Sequence, residues 1–448
     1  MITYNARWVL PVSAPPIEDG TVAVDGDRIA WVGPRSQRPA GSHVDLGSAV
    51  LLPGLVNAHS HLELTAMRGF LEDLDFAHWI MRLNGVKRAV LDRGRMLDAA
   101  RLGIVEGVHH GITTYADTCD SGVAFDAMLE AGVRGIMYQE VFGPDPAQCD
   151  ASLADLRVKV DALRPRQTTL VRVGVSPHAP YTVSDALYSA VADYAGGEHL
   201  DVAVHIAEGE VERELVVDGE GLFARGLRKR GIDVRPRGRS SIDLLRSTGI
   251  LERRPLLIHC VRLDAQDIHI VARSGAPIAH CPISNAKLGH GIAPLSELLD
   301  AGITVGLGSD SVASNNRMDM LGEARAAVLS QRARTGRHDV IRAREALTLA
   351  TLGGARALGL DHDTGSLEAG KSADLAAFPL DVRTSPVHDV ESAAVFALAG
   401  VSASLAVVAG RELLRDGRMA NNDPHLIARV DDTARRMREW AAANDAAR

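Results

Sequence analysis

Two textures of apolar and polar positions run along the chain. From Met1 to about Val50 apolar residues alternate with polar ones in short runs. Thr21-Val-Ala-Val, then Asp25-Gly26-Asp27, then Arg28-Ile-Ala-Trp-Val predict a hairpin turning at Gly26. Beyond that point apolar runs of four to eight residues recur between longer stretches of helical periodicity, the rhythm of β/α units around a parallel sheet. Eight such runs are predicted strands: Leu51 to Asn57, Ile112 to Ala116, Val133 to Val141, Leu170 to Ser176, Asp201 to Ala207, Pro255 to His259, Pro277 to Cys281 and Thr304 to Gly308. Helices are predicted between them. Leu91 to His109 puts Met96, Ala99, Ala100, Leu102, Gly103 and Val105 on one side, and Pro294 to Ala301 ends at Gly302.

This alternation predicts an α/β protein built as a (β/α)8 TIM barrel, with a doubly wound open sheet as the alternative. Past Gly359 the β texture returns in Ala373 to Phe378, Ser404 to Ala409 and Arg411 to Leu414, so the two chain ends are expected to share a small β domain. The division is then 1–52 with 360–422 as that composite domain, 53–359 as the barrel, and 423–448 as a C-terminal helix. Asp423 is its predicted N-cap and Pro424 its first helical residue. The segment 209–254 is longer than an ordinary strand-to-helix connection and predicts a lid or helical excursion. Its basic residues, Arg225, Arg228, Lys229, Arg230, Arg235, Arg237 and Arg239, read first as a solvated face and otherwise as donors to substrate carboxylate or hydroxyl groups.

Composition narrows the partners. A chain of 448 residues, 46% hydrophobic, buries an ample core, and a net charge of -8 provides no basic field for nucleic acid or anionic membrane. The expected partner is a small-molecule substrate, with no nucleic acid and no membrane; a homo-oligomer is the one assembly left open. Four cysteines at irregular spacing, without C-x-x-C, suit a reducing compartment, so a cytoplasmic location is expected. Neither a signal peptide nor an apolar run of 18 residues is read in the sequence.

The stretch Leu51 to Gly69 carries the first candidate chemistry. His59 and His61 continue a predicted strand at alternate positions, so both imidazoles leave it on one side. With 17 histidines in 448 residues, about 0.6 such pairs arise by chance, so the other strand ends decide the matter. The fourth strand ends in Pro177-His178, the fifth in His205 followed by Glu208, the sixth in His259, the seventh in His280, and the eighth in Ser309-Asp310. Barrel enzymes keep their chemistry on that rim. The nitrogens of His59, His61 and His205 with the carboxylate of Asp310 suit one divalent transition metal, Zn²⁺ as the expected ion and Fe²⁺ as the alternative, with a position left for water. Such a site lowers the pKa of its water toward about 7 and makes hydroxide the nucleophile. Glu208 is then placed to collect and return the proton, His259 to orient the hydroxide, and Asp310 to pass a proton to the leaving group. His178 and His280 are expected to support these groups or to touch substrate. Gly365-Ser-Leu-Glu-Ala-Gly-Lys371-Ser372 matches a phosphate-binding loop, but an apparent strand follows it where that loop needs a helix, so it reads as a turn.

Together, Pro53-Gly-Leu-Val-Asn-Ala-His-Ser-His, Val204-His-Ile-Ala-Glu208, Ile258-His-Cys, Ala279-His-Cys-Pro-Ile-Ser-Asn285, Gly308-Ser-Asp310 and the Gly365 to Asp374 turn resemble the amidohydrolase superfamily. The likeness spans nearly the whole chain and lies nearest the deaminases of cytosine, guanine and adenosine type and the related chlorohydrolases. It implies a distorted (β/α)8 barrel, a β-sandwich from both chain ends, and one metal held by His59, His61, His205 and Asp310, with Glu208 and His259 as proton shuttle and hydroxide-orienting histidine. No lysine lies between Leu170 and His178, where binuclear relatives carry their bridging one. The segment His61-Leu-Glu63-Leu and the excursion after Glu208 look like aminodeoxyfutalosine deaminases, which makes the expected substrate aminodeoxyfutalosine or an adenosine derivative. No Pro-x-Glu element follows Phe76 and Trp79, a departure that argues against a homocysteine-bearing substrate. Glu63 to Trp79 is expected to form the substrate wall, with Glu63 and Trp79 as contacts. The alternatives are a chlorohydrolase or amide hydrolase using the same site and, from another class, a non-catalytic assembly protein.

Overall fold

The computed structural model describes residues 1–445; residues 446–448, the end of the predicted C-terminal helix, lie outside the described residues. Numbering only the parallel strands, these are β1 (Leu55–Ser60), β2 (Ile112–Cys119), β3 (Arg134–Val141), β4 (Val171–Pro177), β5 (Ala203–Ile206), β6 (Leu256–His259), β7 (Ile278–His280) and β8 (Val305–Leu307). They form two four-stranded sheets, β1 to β4 and β5 to β8, each in chain order and parallel throughout. Single parallel bridges join the two, Val175 to Val202 between β4 and β5 and Ser60 to Asp310 between β8 and β1. The hydrogen-bonded ladder is therefore interrupted at both seams. Seven of these strands match predicted runs. The first is corrected: Leu51 to Asn57 is the end of one strand, Ala49–Pro53, and the start of β1, with Gly54 between them. A Cβ on Gly54 would lie 2.0 Å from Thr113 Oγ1, so only a residue without a side chain passes here.

Both chain ends do meet in one sheet. Its nine strands run Arg418–Met419, Arg411–Arg415, Leu405–Val408, Leu375–Pro379, Ala49–Pro53, Ile2–Val9, Ile17–Asp25 and Arg28–Pro34, with Ser42–Asp45 also on Ile2–Val9. Alternation decides its two faces. Leu51, Leu375, Ala377, Leu405 and Val407 pack with Tyr4, Val22 and Ile29 in a core of their own, whereas Val50, Leu52, Ala376, Phe378, Ala406 and Val408 turn to the main core. The Gly365 to Ser372 turn holds Lys371 Nζ on Asp361 O (2.6 Å) and Ser366 Oγ (2.7 Å), and the strand Leu375–Pro379 follows it, as a turn requires.

A further hydrophobic cluster stands above β1. The helix Phe76–Val90, N-capped by Asp75, contributes Phe76, Trp79 and Val86. The excursion adds Leu215, Ala224 and Leu227 from helices that include Gly221–Lys229 and Ile232 from the loop after it, and the C-terminal helix Leu426–Asp445 adds Leu426, Val430 and Met437. Asp423 Oδ1 accepts from His425 N (2.9 Å) in the turn before that helix, which begins two residues later than predicted for Pro424. Of the basic residues in the excursion, Arg228 is held by Glu220, Arg237 by Asp185 and by Pro180 O and Val183 O, and Arg239 by Asp264 and Asp267, while Arg225, Lys229, Arg230 and Arg235 are exposed.

Candidate metal and active site

The carboxyl ends of the parallel strands bring His59, His61, His205 and Asp310 together. His59 Nε2 lies 3.2 Å from Asp310 Oδ1, and His61 Nε2 lies 3.6 Å from the same oxygen and 3.2 Å from His205 Nε2. The tautomers follow from the outer hydrogen bonds. His61 Nδ1 donates to Thr118 O (3.0 Å) and His205 Nδ1 to His178 O (3.1 Å), which turns both Nε2 lone pairs toward each other. Two lone pairs at 3.2 Å repel unless a cation lies between them. Asp310 is oriented in the same way: Ser284 Oγ (2.5 Å) and Ser314 Oγ (2.9 Å) donate to Oδ2 and leave Oδ1 facing the histidines. Burial lowers the pKa of His59, His61 (to about 4) and His205, so the imidazoles are neutral, as ligation demands. Burial works the other way on Asp310, but the neighbouring histidines, led by the His59 contact, hold its carboxyl well below the usual range. This donor set fits a divalent transition ion.

Backbone geometry aims the set. Asp310 N donates to His59 O (2.9 Å), and Asn57 exchanges two hydrogen bonds with Ser309, Nδ2 to Oγ at 2.7 Å and Ser309 N to Oδ1 at 2.9 Å. A Cβ on Gly308 would stand 2.8 Å from His59 Cβ, so the last strand can approach the first this closely only at glycine. Ala207, His259, Cys260 and Asp310 all have positive φ, 51°, 75°, 51° and 57°, a strained conformation for residues with side chains, placed where strands β5, β6 and β8 hand over to the site.

Glu208 is buried between two histidines, with Oε1 3.6 Å from His259 Nε2 and 3.3 Å from His290 Nε2. Burial pushes its pKa up, yet His259 and the His290 contact outweigh that and keep the carboxyl below its ordinary value. His259 Nδ1 donates to Asn285 Oδ1 (3.0 Å), so Nε2 faces the site. Glu212 holds the turn from below, accepting from Ala207 N (2.8 Å) and Glu208 N (3.2 Å). The other expected contacts divide. His178 lies against His205 with the rings tilted by 38° (4.7 Å between ring centres), and Trp79 lies nearly parallel to Phe76 (6.1 Å), which also meets Tyr181 and Phe223 edge-on. His280 is buried at the end of β7, and neither ring nitrogen has a hydrogen-bond partner among the described residues. Glu63 is also buried, but its carboxylate is taken by Lys87, Ser121 and Cys119. His290, Asn57 and Glu212 were not singled out from sequence. His290 sits between Gly289 and Gly291, both at positive φ, and a histidine framed by glycines was the available signal.

The sequence profile of the amidohydrolase family matches residues 50–413. A protein of Moorella thermoacetica named 5-methylthioadenosine/S-adenosylhomocysteine deaminase is 34% identical over 433 residues, covering 94% of this chain and 95% of its own. Among solved structures, an adenosine deaminase from Xanthomonas campestris with bound zinc superposes at a TM-score of 0.87, with 29% identity and 98% of both chains covered. Atrazine chlorohydrolase from Arthrobacter aurescens complexed with zinc reaches 0.84, with 26% identity over 97% of this chain and 100% of that one.

Proposed function

This chain belongs to the amidohydrolase family and is a hydrolase of C–N bonds other than peptide bonds, and from that premise we propose a metal-dependent deaminase that releases ammonia from a 6-aminopurine nucleoside. The observation that carries the reading is the juxtaposition of Glu208 and His259 with the cluster His59, His61, His205 and Asp310. We read the two parallel sheets as halves of a distorted (β/α)8 barrel formed by residues 53–359, and the terminal sheet as a small β-sandwich domain.

A divalent ion, Zn²⁺ first and Fe²⁺ second, held by those four residues would lower the pKa of a water toward about 7. Glu208, kept ionised by His259 and His290, takes a proton from the attacking water and delivers it to the ring nitrogen beside the attacked carbon. His259, fixed by Asn285, presents Nε2 to the attacking oxygen. Asp310 relays the second proton to the amine, so that water and the amino compound become a ring carbonyl and ammonia. Trp79, His178 and His280 are the expected substrate contacts. Glu63 acts through Lys87, since its own oxygens are occupied.

The substrate class is an adenosine carrying a modified 5′ arm. The Moorella relative is named for 5-methylthioadenosine and S-adenosylhomocysteine, while the segment His61-Leu-Glu63-Leu and the excursion after Glu208 resemble aminodeoxyfutalosine deaminases. Ammonia release from adenosine, 5-methylthioadenosine, S-adenosylhomocysteine, aminodeoxyfutalosine, guanine and cytosine tests this. At least one nucleoside is expected to turn over, with about one equivalent of metal per chain, and Glu208→Gln is expected to keep that metal and lose at least 100-fold in kcat. No ammonia from any compound would sink the reading. Chloride release from a chlorotriazine would favour the hydrolase likeness to the Arthrobacter enzyme, and protein isolated without metal or activity would favour assembly.

A further inference from the structure

The helix Met320–Thr335 has no part in the steps above, yet one acid on its first turn touches both segments that hold Asp310. Glu323 is 1% exposed, and each of its carboxylate oxygens meets a donor from a different short helix. Oε2 accepts from Ile283 N (3.2 Å) at the start of the helix Pro282–Lys287, and Oε1 accepts from Asn315 Nδ2 (2.5 Å) at the end of the helix Val312–Asn315. The residue after Ile283 and the residue before Asn315 are the two that orient Asp310. Ser284 Oγ (2.5 Å) and Ser314 Oγ (2.9 Å) both lie on its Oδ2, and the two hydroxyls are 2.9 Å apart. The Asn315 amide donates its other proton to Ser309 O (2.7 Å), directly before Asp310 and its strained φ of 57°. The base of this arrangement is itself fixed. Asp319 caps the long helix, accepting from Leu321 N (3.1 Å) and Gly322 N (3.0 Å), and also accepts from Gly400 N (2.6 Å).

We propose that Glu323 is a positioning residue of the active site, clamping the helices Pro282–Lys287 and Val312–Asn315 together so that Ser284 and Ser314 meet on Asp310. The inference rests on the metal-site reading above. Helices of six and four residues do not hold their own shape in water, so their spacing must come from contacts outside them. Packing alone does not account for an acid at this point. Burial pushes the Glu323 carboxyl up to about 8, and Asp319 and Asp310, the charges that act on it most, push in the same direction. An apolar side chain of that size would avoid the cost, but it lacks two acceptors at a fixed separation, one for each helix. With Oδ2 of Asp310 held between both hydroxyls, Oδ1 stays turned toward His59 and His61. Once the helices part, the carboxylate is free to rotate away from that alignment.

The test is a Zn²⁺ titration of the metal-free protein against a competing chelator. Glu323→Gln keeps the size of the side chain but offers one acceptor and turns an amide NH₂ toward the other donor, so one arm of the clamp is released. It is expected to weaken Zn²⁺ binding by about 10-fold and, with the nucleoside that releases ammonia, to lower kcat by a similar factor while KM moves by less than about 2-fold. The same substitution made in the Ser284→Ala/Ser314→Ala protein is expected to cost less than about 3-fold in Zn²⁺ affinity, because its route to Asp310 is already cut. Asn315→Ala severs the other arm and serves as the second variant should Glu323→Gln not fold, with the same weakening expected. Zn²⁺ affinity unchanged in the folded variant while its denaturant midpoint falls, or an equal loss in both backgrounds, would overturn the clamp alone. Wild-type protein that binds no Zn²⁺ would overturn the metal-site reading and the clamp with it.

Discussion

His61 and His205 each commit Nδ1 to a carbonyl oxygen and meet through Nε2, which makes the protonation state of single residues decisive for the site. Burial depresses the pKa of His61 to about 4, below its ordinary 6.5. The sign follows from linkage: as pH falls below 6.5 the unfolded chain takes up the proton first, so the metal-free protein loses stability between there and about 4. Denaturant unfolding of the metal-free protein is therefore expected to show stability falling as pH drops from about 6.5 toward about 4. Stability unchanged across that window would contradict a neutral, buried His61.

Strands β8 and β1 meet where Gly308 faces His59. Gly308→Ala places a methyl 2.9 Å from the His59 amide nitrogen, and the strands must part. The variant is expected to lose about 1–3 kcal/mol and most of its metal affinity, checked by denaturant unfolding and metal titration; unchanged metal affinity would show that the seam yields elsewhere. At this scale much was legible beforehand. Apolar runs marked the strands because β/α units bury them on both faces, and the carboxyl ends of those runs carried His59, His205, His259 and Asp310. The break at Gly54 was not legible, because Leu51 to Asn57 is apolar on both sides of it and only Thr113, 59 residues on, explains the glycine. Lys87 as partner of Glu63 was missed for a related reason, since the pairing depends on how one helix leans over β1. His290 lies in an irregular loop, where no periodicity points to a facing residue.

The terminal sheet is fastened to the parallel strands by one buried ion pair. Arg134 on β3 donates through Nε to Asp374 Oδ2 (2.8 Å) and through Nη2 to Ser372 Oγ (2.7 Å), and Asp374 also accepts from Ala409 N (2.8 Å). Gly54 N donates to Asp374 O (2.9 Å), so the same residue pins the point where the chain leaves one sheet for the other. Asp374→Ala strands the Arg134 charge and is expected to cost about 3–5 kcal/mol, lowering the denaturant midpoint of the whole molecule in one transition. An unchanged midpoint would mean that the two sheets hold together without this pair.

The seam between the first and last parallel strands has a consequence in time. His59 and Asp310 are 251 residues apart in the chain, and at about 5–20 residues per second a ribosome takes roughly 12–50 s to pass from one to the other. For the first 146 residues of that interval the emerging chain holds only His59 and His61 of the set; His205 then adds a third imidazole, and no carboxylate closes the ring until Asp310 is made. At the proposed site, loading of an ion would follow docking of the eighth strand, and protein made during a shortage of the ion is expected to take it up when it is supplied afterwards, read by elemental analysis before and after.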